Sequence, residues 1–178
     1  MSIKVFLGVA AMIVTSHVNA VVLQPDYFVS DNGINAVAVK EAAMNYVNFW
    51  NTGKKEYAEA ALEKNFIDMT PPEGRKVGID GVLEASNIIR QVVPNLHIEV
   101  EHLLITGNYA TVRYRFKGNL TGAMIDNKDN KDNKDNKDNK DKGQSIDFPV
   151  VDIYYVVNGK IHKTWHHLKY NTFFKQVK

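Results

Sequence analysis

The sequence predicts an α+β domain, with about three N-terminal helices packed on an antiparallel sheet of about four strands. Two observations carry this. Apolar residues recur at helical spacing as far as Pro94 and alternate with period two beyond it. The helical and extended halves also follow one another instead of interleaving, the pattern of an α+β architecture.

Residues 1–20 stand apart from that domain. Lys4 supplies a positive start, Val5 to Val14 form a short apolar run, and Val18 and Ala20 sit at the −3 and −1 positions of a small-residue cleavage site. This is the pattern of a secretory signal peptide, and the run is too short to span a bilayer. The expected product is exported, periplasmic or secreted, with no membrane span after signal removal. Residues 21–33, with Pro25, Asp31, Asn32 and Gly33, read as an extended lead-in, and residues 34–178 as the domain.

The first helix is expected over 34–52, where Val39, Ala43, Tyr46 and Trp50 share a face and Gly53 offers a left-handed stop. A second covers 55–63. After the turn Pro71-Pro72-Glu73-Gly74, a third runs over 79–92, closed by Pro94. Strands follow at 97–105, 109–117, 145–157 and 160–170, with Gly107-Asn108 and Asn158-Gly159 as hairpin turns. In the first strand Ile98, Val100 and Leu104 oppose His97, Glu99 and Glu101. In the second, Val112, Tyr114 and Phe116 oppose Thr111, Arg113, Arg115 and Lys117. Between the second and third strands, residues 126–142 are an Asp-Asn-Lys repeat without one apolar residue. Nothing there can be buried, so a disordered, solvated insertion is expected. It has neither the central Gly nor the terminal Glu of a calcium-binding loop.

At 178 residues, 44% hydrophobic and 24% charged, the chain suits one globular domain. Lys and Arg number 22 against 20 Asp and Glu, without a basic stripe, so no nucleic-acid partner is indicated. Cysteine is absent, which excludes disulfides, thiolate metal sites and cysteine nucleophiles. Phosphate loops, nucleophile elbows and dinucleotide fingerprints are also missing. Glu99, Glu101, His102, His166 and His167 offer no recognised ligand spacing, so no metal is expected.

One residue breaks the apolar pattern. Ile146, Phe148, Val150, Asp152, Tyr154 and Val156 share one face of the third strand, and Asp152 is the ionisable group among them. A carboxylate desolvated there would have a raised pKa suited to acid/base work; equally, it could be a structural Asp paired to an Arg, a His or a backbone donor. His166 and His167 are adjacent, so at most one shares a face with Asp152. Trp50, Tyr114, Phe116, Phe148, Tyr154 and Trp165 are candidates for lining a cavity, or for ordinary core packing.

Taken in order, Phe49-Trp50-Asn51-Thr52-Gly53, Phe66-Ile67-Asp68 and Gly78-Ile79-Asp80-Gly81-Val82 resemble the helical half of the SnoaL-like polyketide cyclases. Arg90, Pro94 to Glu101, Gly107, Val112-Arg113, Asp152-Ile153-Tyr154, Val157 to Ile161 and Trp165-His166 continue the series. The resemblance covers about residues 36–174. It implies a nuclear-transport-factor-2-like fold: a cone of helices on a curved sheet around an apolar pocket, often dimeric through the sheet. It implies no cofactor or metal, and a small hydrophobic molecule as partner. The aspartate matched by Asp152 acts in that family as acid/base in an intramolecular aldol closure, and His166 is the accompanying candidate catalytic residue. The chain departs from the family at Asp68-Met69, where an Asp-His pair is common, and at Gly118-Asn119-Leu120, where Gly-Thr-His is common. The expected activities are acid/base chemistry of cyclase or isomerase type on a small hydrophobic carbonyl compound, or non-catalytic binding or interaction on the same scaffold.

Overall fold

The computed structural model describes residues 23–121 and 144–168. The signal peptide expected at 1–20 and the repeat at 126–142 lie outside these residues.

Helix α1 (Ala36–Thr52) buries Val39, Ala43, Tyr46, Val47 and Trp50, the face read from the sequence. It ends at Gly53, whose φ of 71° lets its N–H reach the Phe49 carbonyl at 2.7 Å. Helices α2 (Lys55–Ala61) and α3 (Gly78–Val92) follow. From α3, Arg90 donates to the Trp50 carbonyl at 2.6 Å, so a cation serves the C-terminal end of α1.

The sheet corrects the expectation. Among the described residues it has six strands, and it is mixed rather than purely antiparallel: β1 (Tyr27–Ser30), β2 (Leu62–Asp68), β3 (His97–Thr106), β4 (Tyr109–Leu120), β5 (Gln144–Val157) and β6 (Lys160–Leu168), in the order β1-β3-β4-β5-β6-β2. The four expected strands form its antiparallel centre. The two additions are edges that pair in parallel, β1 with β3 and β2 with β6. Neither carries a period-two signature. Three of the four β1 residues are exposed, and β2 buries Leu62 and Phe66, four apart, across an irregular register.

Two bulges decide which side chains face inward, because one extra residue reverses a strand's alternation. In β3 the register shifts between Val100 and His102, so Leu103 and Ile105 are buried while Leu104 is 43% exposed. Leu104 therefore points outward, against the expected alternation. In β6, Ile161 pairs with Val156 and Lys163 with Tyr155, leaving His162 extra. Thr164 and His166 then face inward, three and five residues after buried Ile161. The β5–β6 turn is a two-residue loop with both Asn158 (φ 50°) and Gly159 (φ 73°) left-handed, as a type I′ turn requires.

Helix α1 lies across β3 to β6, and α3 packs on β2. The core between helices and sheet is rich in aromatic residues. Among the described residues, no helix is long and apolar enough to cross a membrane.

Candidate functional site

The centre of β5 faces α1, and there Asp152 is fully buried. Its cross-strand neighbours are Val112 on β4 and His166 on β6. Asp152 is not the isolated charge that the strand pattern suggests. Its Oδ2 accepts hydrogen bonds from the Tyr114 hydroxyl at 2.8 Å and the Tyr154 hydroxyl at 2.9 Å. Its Oδ1 lies 2.9 Å from His166 Nδ1. A carboxylate removed from water needs such donors, because an unpaired buried charge is far more costly than a paired one. Arg113 and Arg115 are not among its partners: they pair with Glu101 on the other face, and Arg115 also with Asp147.

His166 is held on both ring nitrogens. Nδ1 is hydrogen-bonded to Asp152, whereas Nε2 faces Asp68 Oδ2 at 3.3 Å as an ion pair without hydrogen-bond geometry; Asp68 itself accepts from Arg75 Nη1 at 3.0 Å and from the Thr70 N–H at 3.0 Å. Burial by itself would lower the imidazole pKa. The charge and hydrogen bond of Asp152, then the close Asp68 carboxylate, outweigh it and raise the pKa from 6.5 to about 9. His166 is therefore an imidazolium at neutral pH. Burial likewise acts on Asp68 in the raising direction, but the close His166 imidazolium, with the Thr70 N–H and Arg75, brings its pKa below the usual value. Burial and then the Asp152 charge push the Tyr114 and Tyr154 hydroxyls well up, so both remain donors.

Of the six aromatic residues suggested for a cavity, five form one connected cluster around this centre. Trp50 meets Phe116 edge-on at 6.0 Å, Tyr114 lies 5.5 Å from Phe116, and Phe116 stacks on Phe148 at 5.4 Å. Tyr154 joins through Tyr46, edge-on at 5.4 Å. Trp165 is the exception. It pairs with Ile153 on the opposite face, because the His162 bulge turns His166 inward and its neighbour outward. His167, paired with Val151 and exposed, shares that outer face. The sequence reading overlooked Asp68, Tyr46 and Thr164, whose hydroxyl is buried without a hydrogen bond. Two clefts open nearby: one of about 60 Å³ touches Asp68 and Arg75, and one of about 330 Å³ lies between the 72–76 loop and α3. None of the six aromatic residues lines either cleft. Among the described residues, no group of three or more potential ligands could hold a metal ion.

This arrangement can move protons: a carboxylate and an imidazolium share one hydrogen bond within an aromatic enclosure, with two phenols as fixed donors. The sequence profile of the SnoaL-like polyketide cyclases matches residues 40–177. A protein described as a polyketide cyclase from Bacillus cereus is 31% identical, with a TM-score of 0.72 over 88% of this chain and 93% of its own. Two more distant structures share the fold. One is TsrD from Streptomyces laurentii, 17% identical with a TM-score of 0.62 over 79% of this chain and 95% of its own. The other is a SnoaL-like polyketide cyclase from Agrobacterium tumefaciens, 16% identical with a TM-score of 0.57 over 79% of this chain and 98% of its own. No curated protein sequence matches the chain.

Proposed function

The chain belongs to the SnoaL-like polyketide cyclase family, and from that premise we propose that it is a cofactor-independent acid/base catalyst, of cyclase or isomerase type, acting on a small hydrophobic carbonyl compound. The observation that carries the proposal is the buried Asp152 carboxylate with Tyr114, Tyr154 and His166 around it. In this reading Asp152 removes a proton from the carbon next to the substrate carbonyl. The electron pair moves into an enolate, which either attacks a second carbonyl or is reprotonated elsewhere. His166 holds a proton beside the carboxylate, and the two phenols keep that carboxylate oriented. The aromatic cluster would surround the apolar body of the substrate. Phe116 and Phe148, at 7% and 6% exposure, are where that cluster comes nearest to solvent. Export, carried by Lys4, the apolar run and Ala20, and a homodimer, carried by the family resemblance, belong to the same proposal.

Deuterium exchange at the α-carbon tests the reading without knowledge of the natural substrate. A panel of aryl ketones and 1,3-diketones in D₂O, followed by NMR, should include compounds whose exchange wild-type protein accelerates and Asp152→Asn does not. If no compound exchanges faster than in buffer, yet several raise the melting temperature of both proteins, the site binds without catalysis.

A further inference from the structure

His166 is gripped from two sides, and only the Asp152 side belongs to the chemistry proposed above. The other side is built by parts of the chain far apart in sequence. Asp68 ends β2, an edge strand paired in parallel with β6. Thr70, two residues on, gives its N–H to Asp68 Oδ1, and its hydroxyl accepts the backbone N–H of His166 at 2.7 Å. The turn after β2 is thus fastened to the backbone of the residue whose ring Asp68 faces. Arg75 approaches Asp68 Oδ2, the same oxygen that faces His166 Nε2. Gly81 allows this loop to settle onto α3, since a Cβ there would collide with the Lys76 carbonyl. Asp68 and Arg75 are at most 15% exposed at their side chains, so their charges are poorly screened.

We propose that Asp68 is a positioning residue that clamps His166 from the side opposite Asp152, and that Arg75 sets the strength of the clamp by competing for the same carboxylate oxygen. With two carboxylates on one imidazolium, the ring cannot flip or leave Asp152 without breaking an ion pair at each nitrogen. The groups facing His166 and its partners are Asp152 and Tyr154 from β5, Tyr114 from β4, Asp68 from β2, Thr70 and Arg75 from the following loop, and Tyr46 from α1. The two carboxylates raise the imidazole pKa. Arg75 is the cation that opposes them, through its hold on Asp68.

The inference rests on the acid/base reading only for the use made of the proton; the clamp itself is measurable whether or not the protein is an enzyme. An NMR titration of the imidazole Cε1–H signals, with His166 identified by the loss of its signal in His166→Gln, reads it directly. The wild-type midpoint is expected at about 9. Asp68→Asn should lower it by about one unit or more, as loss of an adjacent opposite charge does. Asp68→Glu should recover most of that loss. Arg75→Gln should move the midpoint upward, because it frees the carboxylate and removes a cation. Opposite signs at Asp68 and Arg75 separate a clamp from general loosening, which would lower both. A midpoint in Asp68→Asn equal to wild type, or a fall in both variants, overturns the proposal. Failure of α-carbon exchange with the titration as expected would overturn the enzymatic reading alone.

Discussion

The imidazolium at the centre of the site makes folding stability depend on pH in a defined direction. In the unfolded chain His166 has an ordinary pKa near 6.5, and in the folded protein about 9. The folded state therefore binds the proton more tightly. Its contribution is fully present below about pH 6.5 and is lost as pH rises through about 9. A difference of this size corresponds to about 3 kcal/mol. The ring is nearly buried, with 10% of its side chain exposed, so little of this is removed by solvent screening. Urea unfolding of wild type between pH 6 and 9.5 measures the effect, with His166→Gln as a reference that cancels the other titrating groups. At a slope of about 2 kcal/mol per molar urea, the wild-type midpoint should fall by roughly 1.5 M relative to the reference. Keeping below pH 10 avoids the buried tyrosines, whose unfolded counterparts begin to ionise there. Parallel pH curves for the two proteins would refute the reasoning. Should His166→Gln fail to fold, Asp152→Asn serves instead, and its alkaline decline should be smaller than wild type's.

Two further outcomes follow from the geometry. Tyr114→Phe and Tyr154→Phe each remove one of two hydroxyls on the same Asp152 oxygen, so each should cost about 1.5 kcal/mol and the pair more than the sum; an additive double-mutant cycle in urea would show that the two hydroxyls do not share that oxygen. Leu103→Ala should cost about 2–5 kcal/mol in the same assay, whereas Leu104→Ala should stay within about 0.5 kcal/mol; the reverse order would rule out the bulge at Glu101.

Asp152 was legible because β5 is apolar on both faces, so one carboxylate in its middle stood out whatever the register. Its partners were less so. Tyr114 and Tyr154 shared the inward parity and were singled out as candidate cavity walls, but that both donate to one oxygen of Asp152 depends on side-chain geometry that the pattern does not carry. The choice between His166 and His167 depends on an extra residue at His162, and a backbone bulge leaves no mark in a hydrophobic pattern. Uninterrupted alternation from Ile161 would turn Trp165 inward, whereas the bulge turns it out. Asp68 was invisible as a site residue because β2 buries only two widely spaced side chains and reaches His166 through a parallel pairing about a hundred residues away in sequence. The helices were legible because their signals, spacing and a terminal Gly53 or Pro94, are local. The edge strands were not, since their pairing is decided by residues elsewhere in the chain.

The far side of the sheet is covered by paired charges. There Glu99 pairs with Lys117, Glu101 with Arg113 and Arg115, and Asp147 with Arg115. Three acids and three bases thus tile neighbouring strands and balance one another at close range. A sheet stacked on this tile without matching its charges would have to strip water from all six, while their cancellation leaves little long-range pull to repay it; a homodimer formed through this face would have to keep the pairs intact. Charge is thus paired on both sides of the sheet: Asp152 and Asp68 with His166 and Arg75 where water is scarce, and acids with bases across neighbouring strands where water is plentiful. Such a surface discourages sheet-to-sheet aggregation without resorting to a large net charge.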